Sequence, residues 1–404
     1  MKKIAVLFFI AIMLSGCVTG LWSTVQEEWD AVEDLVPGYE HPEDENEKSG
    51  KAKPTKLFDV DKKIDLVKLW SSNIVGDGRS IGGKIKPVLS NSKIYVADQD
   101  GLIASIAADT GDIVWKVDLQ IPLGGGVGIG GEQIFVGSID GDVIALDANN
   151  GTKNWQVKTS SEILSAPSGN GDITIVQTQD GRVYGLDAQN GEVRWQHEVE
   201  VPILSLRGTS TPVVKGNVAV TGFSSGKIYA FSAATGDIIW ENRIGVPKGR
   251  SELERMVDID GESIFSKEIL YAASHQGRIG AISRTGQALW YQDANTVLGP
   301  AVGDSHVYIV ETNNDIVAMD KNSGSIVWSN RHLRYRNLGR PSVANGYLLV
   351  GDYEGYLHIL SEDDGDFIGR IRVDGSGISA PLIVDNNTIY VLDNDGAVSA
   401  YEFL

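Results

Sequence analysis

Short apolar, β-branched runs recur along most of the chain, and Gly-type turns separate them. The first full unit carries Ile94-Tyr95-Val96, then Asp100-Gly101, then Leu102 to Ala107, then Thr110-Gly111-Asp112 and Trp115. The same order returns as IFVGSIDGDVIALDANNGTKNW, ITIVQTQDGRVYGLDAQNGEVRW, VAVTGFSSGKIYAFSAATGDIIW, ILYAASHQGRIGAISRTGQALW and VYIVETNNDIVAMDKNSGSIVW. It continues as LLVGDYEGYLHILSEDDGDFIG and ends with IYVLDNDGAVSAYEF. In the copies two alternating strand-like runs flank a Gly-type turn, and in most of them a second Gly turn leads into a third run ending in Trp. A Pro-led apolar run precedes most copies, at Pro87, Pro167, Pro212, Pro300, Pro341 and Pro381. Four strands in about 40 residues is the size of a propeller blade.

The pattern predicts an all-β protein, an eight-bladed β-propeller of four-stranded blades over residues 66–404. The eighth copy reaches Leu404 without its Trp-bearing strand, and Leu66-Val67-Lys68-Leu69-Trp70 supplies the missing piece. Joining that N-terminal strand to the last blade would close the ring and remove an open edge. Trp70, Trp115, Trp155, Trp195, Trp240, Trp290 and Trp328 should dock neighbouring blades, each backed by the Gly turn before it. The seventh copy has Gly369 at the Trp position, so that joint should be looser or filled by Phe367.

The Trp residues also serve as a ruler. Trp115 to Trp155 and Trp155 to Trp195 are each 40 residues, and Trp290 to Trp328 is 38, but Trp195 to Trp240 is 45 and Trp240 to Trp290 is 50. The extra residues fall in two consecutive connections, Glu198 to Thr211 and Glu241 to Lys267, which should emerge on one face. The first brings Leu204, Leu206 and Arg207, and the second brings Asp258 and Asp260 along with Arg250, Glu252, Glu254 and Arg255. Aliphatics beside an Arg and opposed carboxylates have the make-up of an interface. The alternative is structural: Leu204 and Leu206 cap a blade core, and Arg207 pairs internally with Asp258 or Asp260.

The 404 residues carry 54 Asp and Glu against 35 Lys and Arg, a formal charge of −19. So acidic a body repels nucleic acid and anionic headgroups, which argues against nucleic-acid binding. One cysteine, Cys17, rules out an internal disulfide. It follows Lys2, Lys3 and the apolar run Ile4 to Leu14, whose 11 residues fall short of the roughly 20 that span a bilayer. Residues 1–16 therefore read as a secretory leader. Leu14-Ser15-Gly16-Cys17 resembles the bacterial lipobox, in which the Cys becomes the acylated first residue. Val18, rather than Asp, follows it; by resemblance to the sorting rule this implies outer-membrane anchoring with the body facing the periplasm.

Residues 17–65 read as an acidic, largely disordered tether. Within it Trp22, Val25, Trp29, Val32 and Val36 make a short helical stripe that stops at Pro37-Gly38.

Several fragments look like catalytic motifs. Gly126 to Gly131 matches GxGxxG but falls on an innermost strand with no helix following, so small residues crowding an axis explain it better. Gly222-Phe223-Ser224-Ser225-Gly226 matches a nucleophile elbow but sits on a blade hairpin. Asp98-Gln99-Asp100-Gly101 and Asp393-Asn394-Asp395-Gly396 resemble pieces of Ca²⁺ loops, lack the closing Glu and fall on hairpin turns. The six His residues have no zinc spacing. Neither a metal nor a cofactor is expected, and neither are catalytic residues.

The segments ALDANNGTKNW and GLDAQNGEVRW resemble the quinoprotein-type propeller repeat. With the lipobox ahead of eight such copies, the chain resembles the BamB family of outer-membrane assembly lipoproteins. That resemblance implies a non-enzymatic scaffold of the β-barrel assembly (BAM) complex that helps insert outer-membrane proteins. It also implies a contact with a POTRA domain of BamA through Leu204-Ser205-Leu206-Arg207-Gly208 and Asp258-Ile259-Asp260. Leu204 and Leu206 would fill an apolar pocket, and Asp258 and Asp260 would meet a basic patch or orient Arg207. After Asp260 the chain departs from the family pattern, with Gly261-Glu262-Ser263-Ile264 in place of a Pro-led strand start. The rival is a periplasmic dehydrogenase dependent on pyrroloquinoline quinone. Unfolded outer-membrane β-barrel clients pairing with blade edges are a third partner class.

Overall fold

The computed structural model describes residues 53–74 and 85–404; the leader, Cys17 and the stripe from Trp22 to Val36 lie outside them. Among the described residues there is no helix, and thirty-two strands form eight four-stranded antiparallel sheets. Seven sheets follow chain order and span 88–118, 128–158, 168–198, 213–243, 264–294, 301–330 and 342–372, blades one to seven. Blade eight combines 383–403 with Leu66–Asn73, which pairs antiparallel with Ala397–Phe403 from Leu66 opposite Phe403 to Asn73 opposite Ala397. This is the expected eight-bladed propeller with its expected closing strand.

The two middle strands of each blade are buried almost throughout, as in Gln133–Gly137 and Asp142–Asp147. Strict alternation is lost there because each sheet packs on both faces, so both rows of side chains meet a neighbour. The core lies between blades: Phe135, Val143 and Trp155 of blade two pack with Val176 and Tyr184 of blade three.

The Trp residues lock these layers together. Trp155 donates its indole N–H to the Ala188 carbonyl of blade three at 2.9 Å. Its ring lies on Gly191, whose φ of +76° and 2.7 Å gap to the ring from any added Cβ both demand glycine. Trp70, Trp115, Trp195, Trp240, Trp290 and Trp328 repeat the arrangement on the following blade. The turn backing each Trp thus belongs to the next blade, not to the turn before it in its own copy.

Blade seven is the exception, and Phe367 does not take the missing role. Phe367 instead meets Phe58 edge-on at 5.1 Å. At the joint with blade eight, Lys63 and Ile64 donate their amides to the Ile368 carbonyl at 2.8 and 3.2 Å. A Cβ on Gly369 would come within 2.8 Å of the Ile64 carbonyl oxygen. The physical reason is the seam: where other blades offer a Gly turn, blade eight has two strand ends, tied by the Leu404 amide to the Asp65 carbonyl.

The compact unit begins at Pro54, so 54–65 belong to the propeller body rather than to a disordered tether. Thr55 bonds to the backbone of His332 and Arg334, while Arg336 and Arg370 donate to the carbonyls of Thr55 and Phe58 at 3.0 and 2.6 Å. These partners lie more than 270 residues away, beyond the reach of any local pattern.

The motif-like fragments have structural explanations. Gly128 lies on an innermost strand where a Cβ would fall 1.5 Å from the Pro167 carbonyl oxygen. Gly222 to Gly226 forms the hairpin between Val218–Gly222 and Lys227–Ser232. Asp98 accepts the amides of Asp100 and Leu102, and Asp393 that of Ala397, so each closes its own turn.

Candidate functional site

The connections that lead from the outermost strand of one blade to the innermost strand of the next gather on one face. Two long ones begin after His197-Glu198 and Asn242-Arg243 and run through 199–212 and 244–263. They are stitched together. The Leu206 amide donates to Asp258 Oδ2 at 2.6 Å, and Ser210 Oγ to the Gly261 carbonyl at 3.3 Å. Beneath them the His275 amide donates to the Asp258 carbonyl at 2.8 Å, anchoring the pair to the turn of blade five. Burial pushes the His275 imidazole below its usual range, against the opposing effects of the Asp260 charge and a hydrogen bond with Asn295.

This platform presents an apolar and basic edge. Ile203 is 99% exposed and Leu204 39%, while Leu206 is partly covered. Arg207 donates to Glu162 Oε1 of the preceding connection at 3.0 Å, yet its side chain stays 67% exposed. Asp258, by contrast, is 1% exposed. Its carboxylate holds the Leu206 backbone and is not presented to a basic patch; burial near the chain crossing explains the difference from expectation. Asp260 is partly exposed and lines a cavity of about 390 Å³ with Leu206 and Arg207. Leu204, Leu206, Arg207, Asp258 and Asp260 therefore come together on one face, with Asp258 inside it.

Ile203 was not singled out by its type, since the run Ile203, Leu204, Leu206 does not say which member faces water. Leu253, 63% exposed, adds a second apolar point on the longer connection. It rides on a tight turn in which Glu254 accepts the amides of Arg250 and Ser251. Those bonds hold the Glu254 carboxyl below its ordinary range.

The 390 Å³ cavity is the mouth of the axial funnel. The position two residues before each innermost strand lines it in every blade. In five blades that position is small or Pro: Gly126, Ala166, Thr211, Gly299 and Pro381. In blades one, five and seven it is Lys86, Glu262 and Arg340. Glu262 accepts from Lys86 Nζ at 2.7 Å and Arg340 Nη1 at 2.8 Å. Burial disfavours the Glu262 charge, but the two cations outweigh it and keep the carboxyl below its ordinary range. Glu262 and Arg340 also line a second cavity of about 400 Å³ beside the innermost strands of blades four and five. Among the described residues no group of three His, Cys, Asp or Glu is placed to hold a metal ion.

The family described as "Outer membrane protein assembly factor BamB" matches residues 99–330 and 332–404. The protein of that name from Pseudomonas aeruginosa is 45% identical over 350 residues, covering 86% of this chain and 92% of the relative. The one from Marinobacter adhaerens is 47% identical over 352 residues, covering 86% and 90%. The crystal structure of BamB from Moraxella catarrhalis superposes with a TM-score of 0.77 at 29% identity, covering 84% of this chain and all of that one. Quinohemoprotein alcohol dehydrogenase from Comamonas testosteroni superposes at 0.66 with 16% identity, covering 84% and 76%, a likeness of fold alone. With the eight blades, the closing strand and these relatives together, the chain belongs to the BamB family of outer membrane protein assembly factors.

Proposed function

We propose that this chain is a non-enzymatic scaffold of the β-barrel assembly machinery, held at the outer membrane and facing the periplasm. Residues 1–16 would be removed as a signal peptide, Cys17 would carry the acyl chains, and the tether would run to Pro54, where the propeller body begins. Two acyl chains or more anchor a protein stably, whereas one binds marginally. The propeller would contact a POTRA domain of BamA through the face built by 199–212 and 244–263.

The observation that carries this reading is the exposed Ile203, Leu204 and Arg207 run on a backbone fixed by Asp258. A loop already held in place loses little entropy on binding, and exposed aliphatics at the centre of such a patch are the usual anchors. Arg207, whose side chain is 67% exposed, would offer its guanidinium to a carboxylate or carbonyl of the POTRA domain. Leu206 and Asp260 line the funnel beside it and would extend the contact inward.

A pull-down of the BamA periplasmic region tests it. Arg207→Glu and Ile203→Asp should each weaken binding at least tenfold, about 1.4 kcal/mol or more. Undiminished binding by folded variants would remove the site. The quinone-dependent reading is tested by adding pyrroloquinoline quinone with Ca²⁺. No bound-cofactor spectrum is expected, and such a spectrum with dye-linked alcohol oxidation would overturn the non-enzymatic assignment.

A further inference from the structure

We infer that Glu262, through its ion pairs to Lys86 and Arg340 across the propeller axis, is a positioning residue that holds the partner-binding segment Leu204–Arg207 in place. This rests on the proposed function for the role of that segment, but not for its mechanics.

In a ring of repeats each blade normally touches its two neighbours alone. Glu262 departs from that rule. It stands where five blades carry a small residue or Pro, and it reaches from blade five to blade one, on the opposite side of the ring, and to blade seven. Three charged side chains thus meet where the repeat otherwise leaves space. The pairs are well covered, with side-chain exposures of 22% for Lys86, 28% for Glu262 and 15% for Arg340. Removing the carboxylate would leave two cations facing each other in a partly desolvated cleft, which costs more than the loss of a surface pair.

The path from Glu262 to the partner segment is short and has no slack. Gly261, its neighbour, lies so close to Leu298 and Gly299 that a Cβ would meet their backbone at 2.6 Å. The Gly261 carbonyl accepts from Ser210, and Asp258 accepts the Leu206 amide. A shift at 262 therefore moves two of the bonds that hold 206–210 in place. The connection 244–263 is also the longest between blades, so one end of it needs an anchor that adjacent packing does not supply. Coupling of this kind rests on a contiguous set of packed groups and bonds, here four residues long.

Hydrogen exchange on the full chain reads the effect without any partner. In Glu262→Gln, amides of 206–210 and 258–261 should exchange roughly tenfold faster, while those of Gln133–Gly137 in blade two stay unchanged. The swap of Glu262→Arg with Arg340→Glu rebuilds the pair to position 340 but sets a guanidinium against Lys86, so it should restore slow exchange in part. Binding to the BamA POTRA region should weaken in parallel, also roughly tenfold. Unchanged exchange at 206–210 overturns the inference, and so does a uniform rise across all blades, which would mark a purely global stabilisation. If Glu262→Gln does not fold, Glu262→Asp keeps the charge on a shorter arm and carries the same comparison. If the wild-type chain does not bind the POTRA region, the proposed function falls, while the exchange result still decides the positioning role.

Discussion

Asp352 and Asp393 occupy the same place in successive blades, the start of the turn between the second and third strands. Each closes its turn by accepting backbone amides, from Glu354 and Tyr356 in one case and Ala397 in the other. Their acidities nevertheless diverge. Burial works against the Asp352 charge, but His358, the Tyr356 amide and Arg336 outweigh it and hold its carboxyl low. At Asp393 burial dominates, and the charges of Asp374 and Asp395 add to it, pushing the carboxyl up to about 6. A carboxyl raised from its usual 3.8 binds its proton more tightly in the folded state. Stability is therefore lost as pH rises through roughly 4 to 6, by up to about 3 kcal/mol. Asp393→Asn keeps the oxygen acceptor and removes the charge. It should raise unfolding stability at pH 7.5 by about 1–2 kcal/mol and have little effect near pH 4, as measured by urea denaturation at both. An equal gain at both pH values would show that charge is not the cause. The turn role of Asp393 was legible from its place on a hairpin of the repeat. The divergence was not, because Arg336 and Asp374 reach these sites through the fold. The same holds at the binding face, where Asp258 was correctly placed near Leu206 but its burial followed from a crossing of two long connections.

Between blades, each joint is a Trp of one copy on a Gly turn of the next, for instance Trp155 on Gly191. The spacing of Trp and Gly within a copy is so regular that sequence alone suggests an internal pairing. Only the stacking of blades makes the turn 36 residues further on the true partner of Trp155. Gly191→Ala should cost about 2 kcal/mol, combining a left-handed φ with a Cβ pressed onto the indole, and Trp155→Ala about 3–5 kcal/mol. Urea unfolding midpoints check both. Position 369 should invert the trend. Restoring the repeat's own residue with Gly369→Trp fills a slot already taken by the Ile64 backbone, and should destabilise rather than stabilise. A rise in midpoint would mean the strap from 54 to 65 yields easily. That strap is the element least visible in the sequence, since its charged composition matches a tether and its contacts lie on blades six and seven.

The ring as a whole depends on one seam. Eight copies, the closing strand and the face that gathers the long connections could all be read from periodicity. What periodicity does not reveal is how the ring holds against opening, because that depends on contacts between the two ends of a long chain. The seam is Leu66–Asn73 against Ala397–Phe403, with the hydroxyls of Ser71 and Ser399 directly opposed at 2.9 Å. Opening there would free the edge of Ala397–Phe403 and release Trp70 from blade one, whose Ala108 carbonyl it bonds. The opposed hydroxyls also place a natural staple. Ser71→Cys with Ser399→Cys, in a chain carrying Cys17→Ser, should oxidise to a disulfide with little backbone movement. Its loop encloses most of the propeller, so the chain-entropy contribution reaches up to about 5 kcal/mol, reduced by any strain. The oxidised chain should therefore unfold at higher urea than the same chain under reductant, with the Ser71→Cys single variant indifferent to redox state. If oxidation proceeds fully but leaves the midpoint unchanged, the ring unfolds without first needing to part at this seam, and the closing strand adds continuity rather than stability.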